Sequence, residues 1–145
     1  MLPFLILLLA TAGGQPKAAL SHDGGVCAGL AWVMLEPGEK AFVKHGRDFH
    51  VYRFEGAKGP TDHWWGIYSG GFAQVRGNGP LLLQRDGVTI HRAVEGGQFR
   101  GYLAEKGRGQ NHFFGSVFRG TSDDKKFFDR IDFSTRGQAL CAKGR

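Results

Sequence analysis

The chain has 145 residues, 22% charged and 41% hydrophobic, with 24 glycines and 12 phenylalanines. That length favours one domain, and the apolar fraction excludes wholesale disorder because enough surface can be buried to offset chain entropy. Glycine far exceeds its average of roughly 7% without a Gly-X-Y period, which excludes collagen and points to short strands joined by tight turns.

Lys and Arg number 19 against 13 acidic residues, a net charge of +6. A basic chain is drawn to anionic polymers. The basic residues are scattered, however. Lys125-Lys126 is the only adjacent Lys/Arg pair and follows Asp123-Asp124, so the pattern is that of a solvated surface rather than a block of like charge.

In chain order, residues 2–12 form an uncharged apolar block around Phe4, Leu5, Ile6, Leu7, Leu8 and Leu9. It is far shorter than the roughly 20 residues of a transmembrane helix. Ala10-Thr11-Ala12 supplies a small-x-small site, which predicts a signal peptide over 1–12 with cleavage after Ala12. No Lys or Arg precedes the block, so the α-amino group alone supplies its positive end. A buried N-terminal strand or helix is the competing reading. Residues 13–25 are expected to be a flexible lead, and 26–145 a single β-rich domain without a transmembrane anchor. The expected location is periplasmic or secreted.

Residues 28–35 are expected to form the first strand, ended by Glu36-Pro37-Gly38. Residues 40–45 and 48–55 predict a hairpin around Gly46-Arg47, with glycine placed for a type II′ turn. A loop over 56–61 contains Pro60. Residues 63–68 and 72–76 form a further pair around Ser69-Gly70-Gly71. Residues 81–85 and 88–95 flank Asp86-Gly87, a strong type I′ signal, with Val88, Ile90 and Val94 on one face. Gly96-Gly97 turns into 98–106, where Phe99 and Leu103 share a face. After Gly107-Arg108-Gly109, residues 110–118 place Phe113 and Val117 on one side and His112, Phe114, Ser116 and Phe118 on the other. Four consecutive strands with short turns predict an antiparallel meander. Thr121 or Ser122 can cap a helix whose first turn carries Asp123 and Asp124 and whose inner face is Phe127, Phe128 and Ile131. A last strand over 128–133 is the alternative. The expected fold is mainly β: an antiparallel meander sheet, open or barrel-like, with one C-terminal helix packed on it.

Cys27 and Cys141 lie near the two ends of the mature chain, and neither belongs to a C-x-x-C pair. A zinc ribbon and a thioredoxin-like site are therefore disfavoured. In an oxidising compartment the two predict one disulfide, and a bridge of that span contributes about 4–5 kcal/mol.

Several catalytic signatures are missing: Gly-x-Ser-x-Gly, a full dinucleotide loop, a Walker lysine and His-Glu-x-x-His. Three constellations remain. With a two-residue Gly46-Arg47 turn, His45 and Asp48 would sit cross-strand with His50 on the same face, a set suited to Zn²⁺ or Fe²⁺. His63, beside Asp62, is the candidate fourth ligand. Trp64, Trp65, Tyr68 and Phe72 form an aromatic group that can stack on sugars or bases. The alternation of a strand sends Trp64 and Trp65 to opposite faces, one into the core. Gln110-Asn111-His112 beside Ser116 reads as a satisfied core histidine rather than a catalytic pair. The expected function is an exported, non-enzymatic binding or accessory domain that needs no cofactor and takes an anionic polymer or another exported protein. The alternative is a small zinc-dependent hydrolase using His45, Asp48 and His50.

Overall fold

Residues 15–70, 76–118 and 123–144 are described by the computed structural model. The expected signal peptide, Phe72 and the two candidate caps Thr121 and Ser122 lie outside them. The described chain is mainly β with antiparallel sheets. Its strands are β1 (Lys17–Ala18), β2 (Ser21–His22), β3 (Gly25–Ala28), β4 (Ala31–Met34), β5 (Lys40–His45), β6 (Phe49–Gly56), β7 (Gly59–Gly70), β8 (Leu81–Arg85), β9 (Val88–Glu95), β10 (Gln98–Lys106), β11 (Gly109–Gly115) and β12 (Ile131–Asp132). Its helices are α1 (Asp123–Phe128) and α2 (Thr135–Lys143). Eight strands form one open sheet in the order β1-β5-β6-β7-β11-β10-β9-β8, and four form a second in the order β12-β4-β3-β2.

The meander β8-β9-β10-β11 stands as the turn chemistry predicts. Asp86 and Gly87 both have positive φ, as do Gly96 and Gly97, and each pair links directly opposed strand ends. Those are the conformations a type I′ turn demands. Three face assignments change, the first being Phe118, which is expected beside His112, Phe114 and Ser116 but is buried in the core against Tyr102 and Phe127. The register shifts between Phe99 and Tyr102, where Gly101 takes φ 108°. The extra residue lies in β10 and resets its alternation, so Phe99 packs on the core while Leu103 pairs with His112 on the other face. Along β9, Val88, Ile90 and Ala93 are buried and Val94 is only half-buried.

Four other expectations are corrected. Residues 28–35 are not one strand: Gly29, with φ 61°, turns β3 back on β4, and Ala28 pairs with Ala31. Residues 13–25, expected to be a flexible lead, contain β1 on the edge of the large sheet and β2 on the edge of the small one. The loop expected over 56–61 is a tighter turn, since Gly56 pairs with Gly59 across a register shift, and Pro60 falls in that irregularity, where a strand tolerates proline. Finally, α2 was not expected. Its buried residues are the small Gly137 and Cys141, so it carries no apolar stripe to betray it.

The core fills the space between the sheets. Phe54 and Trp65 stack with ring centroids 3.9 Å apart, and Trp65 meets Phe127 edge-on at 4.9 Å. Phe128 of α1 packs edge-on against both Phe113 and Tyr102. The predicted helix thus delivers Phe127 and Phe128 inward, while Ile131, buried as expected, sits on β12 instead. Buried Asn111 docks the β3–β4 hairpin: its Nδ2 donates to the Ala28 carbonyl at 2.9 Å and its Oδ1 accepts from Leu30 N–H. Cys27 of β3 is bonded to Cys141 of α2, with Cα atoms 5.0 Å apart and a sequence separation of 114. The expected disulfide therefore fastens the C-terminal helix to the small sheet.

Candidate functional site

The two faces of the large sheet differ in kind. On the inner face, the register aligns Phe54 with Trp65 and Tyr52 with Ile67, and Ile67 in turn with Phe113. On the outer face the same strands present Phe42, Phe49, Val51, Arg53, Trp64, Tyr68, His112 and Phe114. None of these belongs to the core cluster or packs against it.

The outer aromatics form two groups. Phe49 stacks on Tyr68 at 5.2 Å and 16°. Trp64 meets Phe114 at 6.2 Å, and Phe114 meets His112 at 5.6 Å. Gly66 makes room for the second group: a Cβ there would lie 2.7 Å from Phe114 Cζ. Arg53 lies 5.0 Å over the Trp64 ring and pairs with Glu55 at 2.9 Å. Trp64 and Tyr68 are both half-buried on one face of one strand, about 13 Å apart along it. The adjacent tryptophans separate as expected: Trp65 is fully buried and donates its Nε1–H to Glu39 at 2.8 Å. Trp64 and Tyr68 remain available on the surface, while Phe72 falls outside the described residues.

His112 sits among these rings. Its Nε2–H donates to the Arg100 carbonyl at 2.9 Å. Burial pushes its pKa below the ordinary histidine value, and the Arg100 bond opposes this only in part. The imidazole is therefore neutral at pH 7. Ser116 does not join it, because its hydroxyl donates to Trp64 O and accepts from Trp64 N–H. The pair is structural.

The histidine constellation is rearranged. The turn spans 46–49, with Gly46 N–H bonded to Phe49 O, so His45 pairs with His50 and not with Asp48. The Phe49 ring lies where a side chain at Gly46 would go and stacks on Tyr68. Asp48 is left exposed in the turn. The imidazole Nδ1 atoms of His45 and His50 are 2.8 Å apart. His63 is at the opposite end of β7, beside Asp62. His45 and His50 border a cleft of about 610 Å³, also lined by His22, Val43, Tyr52 and the disulfide.

Among the described residues, three potential ligand atoms approach within 4.8 Å of one another at Glu36, Glu39 and His63. Sequence reasoning did not single out this group. The buried Glu39 carboxylate already accepts from Trp65 Nε1, from Glu36 N–H and from the Arg130 guanidinium. Arg130 also lies over the Trp65 and Phe127 rings. Arg130 pairs with both carboxylates, so the cluster clasps the turn before β5 to the segment after α1.

A second cleft, of about 390 Å³, mixes Arg85, Arg130 and Arg136 with Asp23, Asp129 and Asp132. Arg85 is spent on the carbonyls of Phe128 and Ile131. Burial raises the Asp132 pKa, but the hydroxyl and N–H of Ser134, with Arg136 and Arg85, outweigh it and hold the group below the ordinary carboxylate range. Arg85 also pairs with Asp129 at 3.5 Å.

Comparison with protein-family models, curated proteins and solved structures yields no match. No helix of the described residues is long and apolar enough to cross a membrane.

Proposed function

We propose that the protein is an exported, non-catalytic binding module for an anionic polysaccharide, held on the outer face of the large sheet. The observation that carries this reading is the pair of half-buried aromatic groups, Phe49–Tyr68 and Trp64–Phe114, none of whose members belongs to the core cluster. Aromatic faces stack on sugar rings at low entropic cost. Lys40 and Lys44 flank them on the same face of β5, and Arg53 lies beside Trp64. With the net charge of +6, these suit a negatively charged chain long enough to touch both groups. Export is supported by the apolar block ending at Ala12 and by the Cys27–Cys141 bridge.

Alginate oligosaccharides, as anionic probes, should bind the mature protein more tightly than dextran oligosaccharides of equal length. Affinity should fall with added salt. Equal affinity for the neutral and charged probes would remove the electrostatic half of the reading, and no binding to either would remove the whole.

A further inference from the structure

His45 and His50 are the one motif in the sequence that the outer face does not absorb. They are cross-strand partners at the end of the β5–β6 hairpin, and alternation puts both on the inner side, with Val43 and Tyr52, facing the cleft. Their ring centroids are 4.8 Å apart and nearly perpendicular, at 80°. The two Nδ1 atoms approach to 2.8 Å. With neutral rings, one Nδ1–H donates and the other Nδ1 accepts, so both lone-pair directions converge on the position of a single proton.

We propose that this position is a Zn²⁺ site in which the ion replaces the shared proton. Zinc takes imidazole nitrogen at about 2.0–2.1 Å, so tetrahedral angles ask the two nitrogens to part by only about half an ångström. The ends of two side chains near a turn can supply that. The rings are already neutral, so binding asks only that the donor ring's proton move from Nδ1 to Nε2, with no net proton released. The protein provides two donors, and the remaining positions of the ion open into the cleft for water or an oxygen anion. This differs from the three-residue set expected from the sequence, because Asp48 is in the turn and not across from His45. His22 borders the same cleft but does not complete a three-donor group with them within 4.8 Å. The inference is independent of polysaccharide binding, since the two sites are on opposite faces of the sheet.

The test is calorimetric titration of the folded, metal-stripped protein with Zn²⁺ alone, followed by NMR of the histidine ring nitrogens. One ion per chain is expected, with the Nδ1 signals of His45 and His50 both shifted and affinity weaker at pH 5.5 than at pH 7.5. His45→Ala and His50→Ala should each weaken binding at least tenfold while circular dichroism stays unchanged. Asp48→Asn and His63→Ala should change it by less than about threefold. No binding at millimolar Zn²⁺ would overturn the proposal. So would binding that survives both histidine substitutions, or that is lost in His63→Ala, which would assign the ion to the Glu36–Glu39 cluster.

Discussion

Trp64 and Trp65 are neighbours in sequence and opposites in environment. Trp65 stacks on Phe54, meets Phe127 and donates to a buried carboxylate that Arg130 also holds. Trp64 carries Arg53 on one ring face and touches Phe114 at the surface. The pleat of β7 alone separates them. One face of the large sheet is buried under the small sheet and α1. The other keeps aromatic area at the surface that the fold does not use. The difference teaches where to look for function: in apolar groups whose burial the core does not require.

The largest expected effect comes from breaking the inner side. Trp65→Ala removes the centre of the aromatic stack and leaves Glu39 one donor short, and should cost about 3–5 kcal/mol in denaturant unfolding. Trp65→Phe keeps the ring, loses the donor and should cost about 1–3 kcal/mol. If Trp65→Ala cost no more than Trp64→Ala, the two faces would not differ as argued.

Next is the bridge that holds α2 on the small sheet. Cys27→Ser with Cys141→Ser should lower stability by about 2–5 kcal/mol and leave alginate affinity unchanged, since neither cysteine reaches the outer face. Unchanged stability in the double variant, or lost binding with the fold intact, would contradict this division.

A smaller, pH-dependent effect sharpens the contrast from the outer side. The fold favours neutral His112. The stability this group contributes is complete above the unfolded-state value of about 6.5 and is lost as pH falls through its lowered folded-state value. His112→Gln keeps an N–H donor and removes the titration. Its stability should fall less than the wild type's between pH 7 and pH 5, and equal slopes would show that His112 is not held neutral.

Much of this fold was legible in the sequence. Asp86-Gly87 and Gly96-Gly97 announce their turns because only a few residues accept two successive positive φ values. Cys27 and Cys141 had one partner each to choose. Gly46-Arg47 misled because the chain turns one residue later, at Arg47-Asp48, with Gly46 closed against Phe49. The β3–β4 hairpin was missed because a lone Gly29 inside an apolar run gives no two-residue turn signal. Ser134 before α2, and Lys143 and Gly144 at its end, are start and stop signals that could have found it. At the site, the opposite fates of Trp64 and Trp65 followed from alternation alone. The clasp of Glu36 and Glu39 on Arg130 did not, because these residues are far apart in sequence and meet only after both sheets are in place.

The smallest effect on stability and the largest on binding should fall on the same residue. Trp64→Ala removes a cation–π contact and a surface ring contact, costing about 1 kcal/mol or less. The most direct measurement is therefore alginate binding by Trp64→Ala, with the unfolding midpoint taken on the same sample. The account predicts a near-native midpoint and at least tenfold weaker affinity. Native affinity in the folded variant would contradict it and remove the outer face as the binding site.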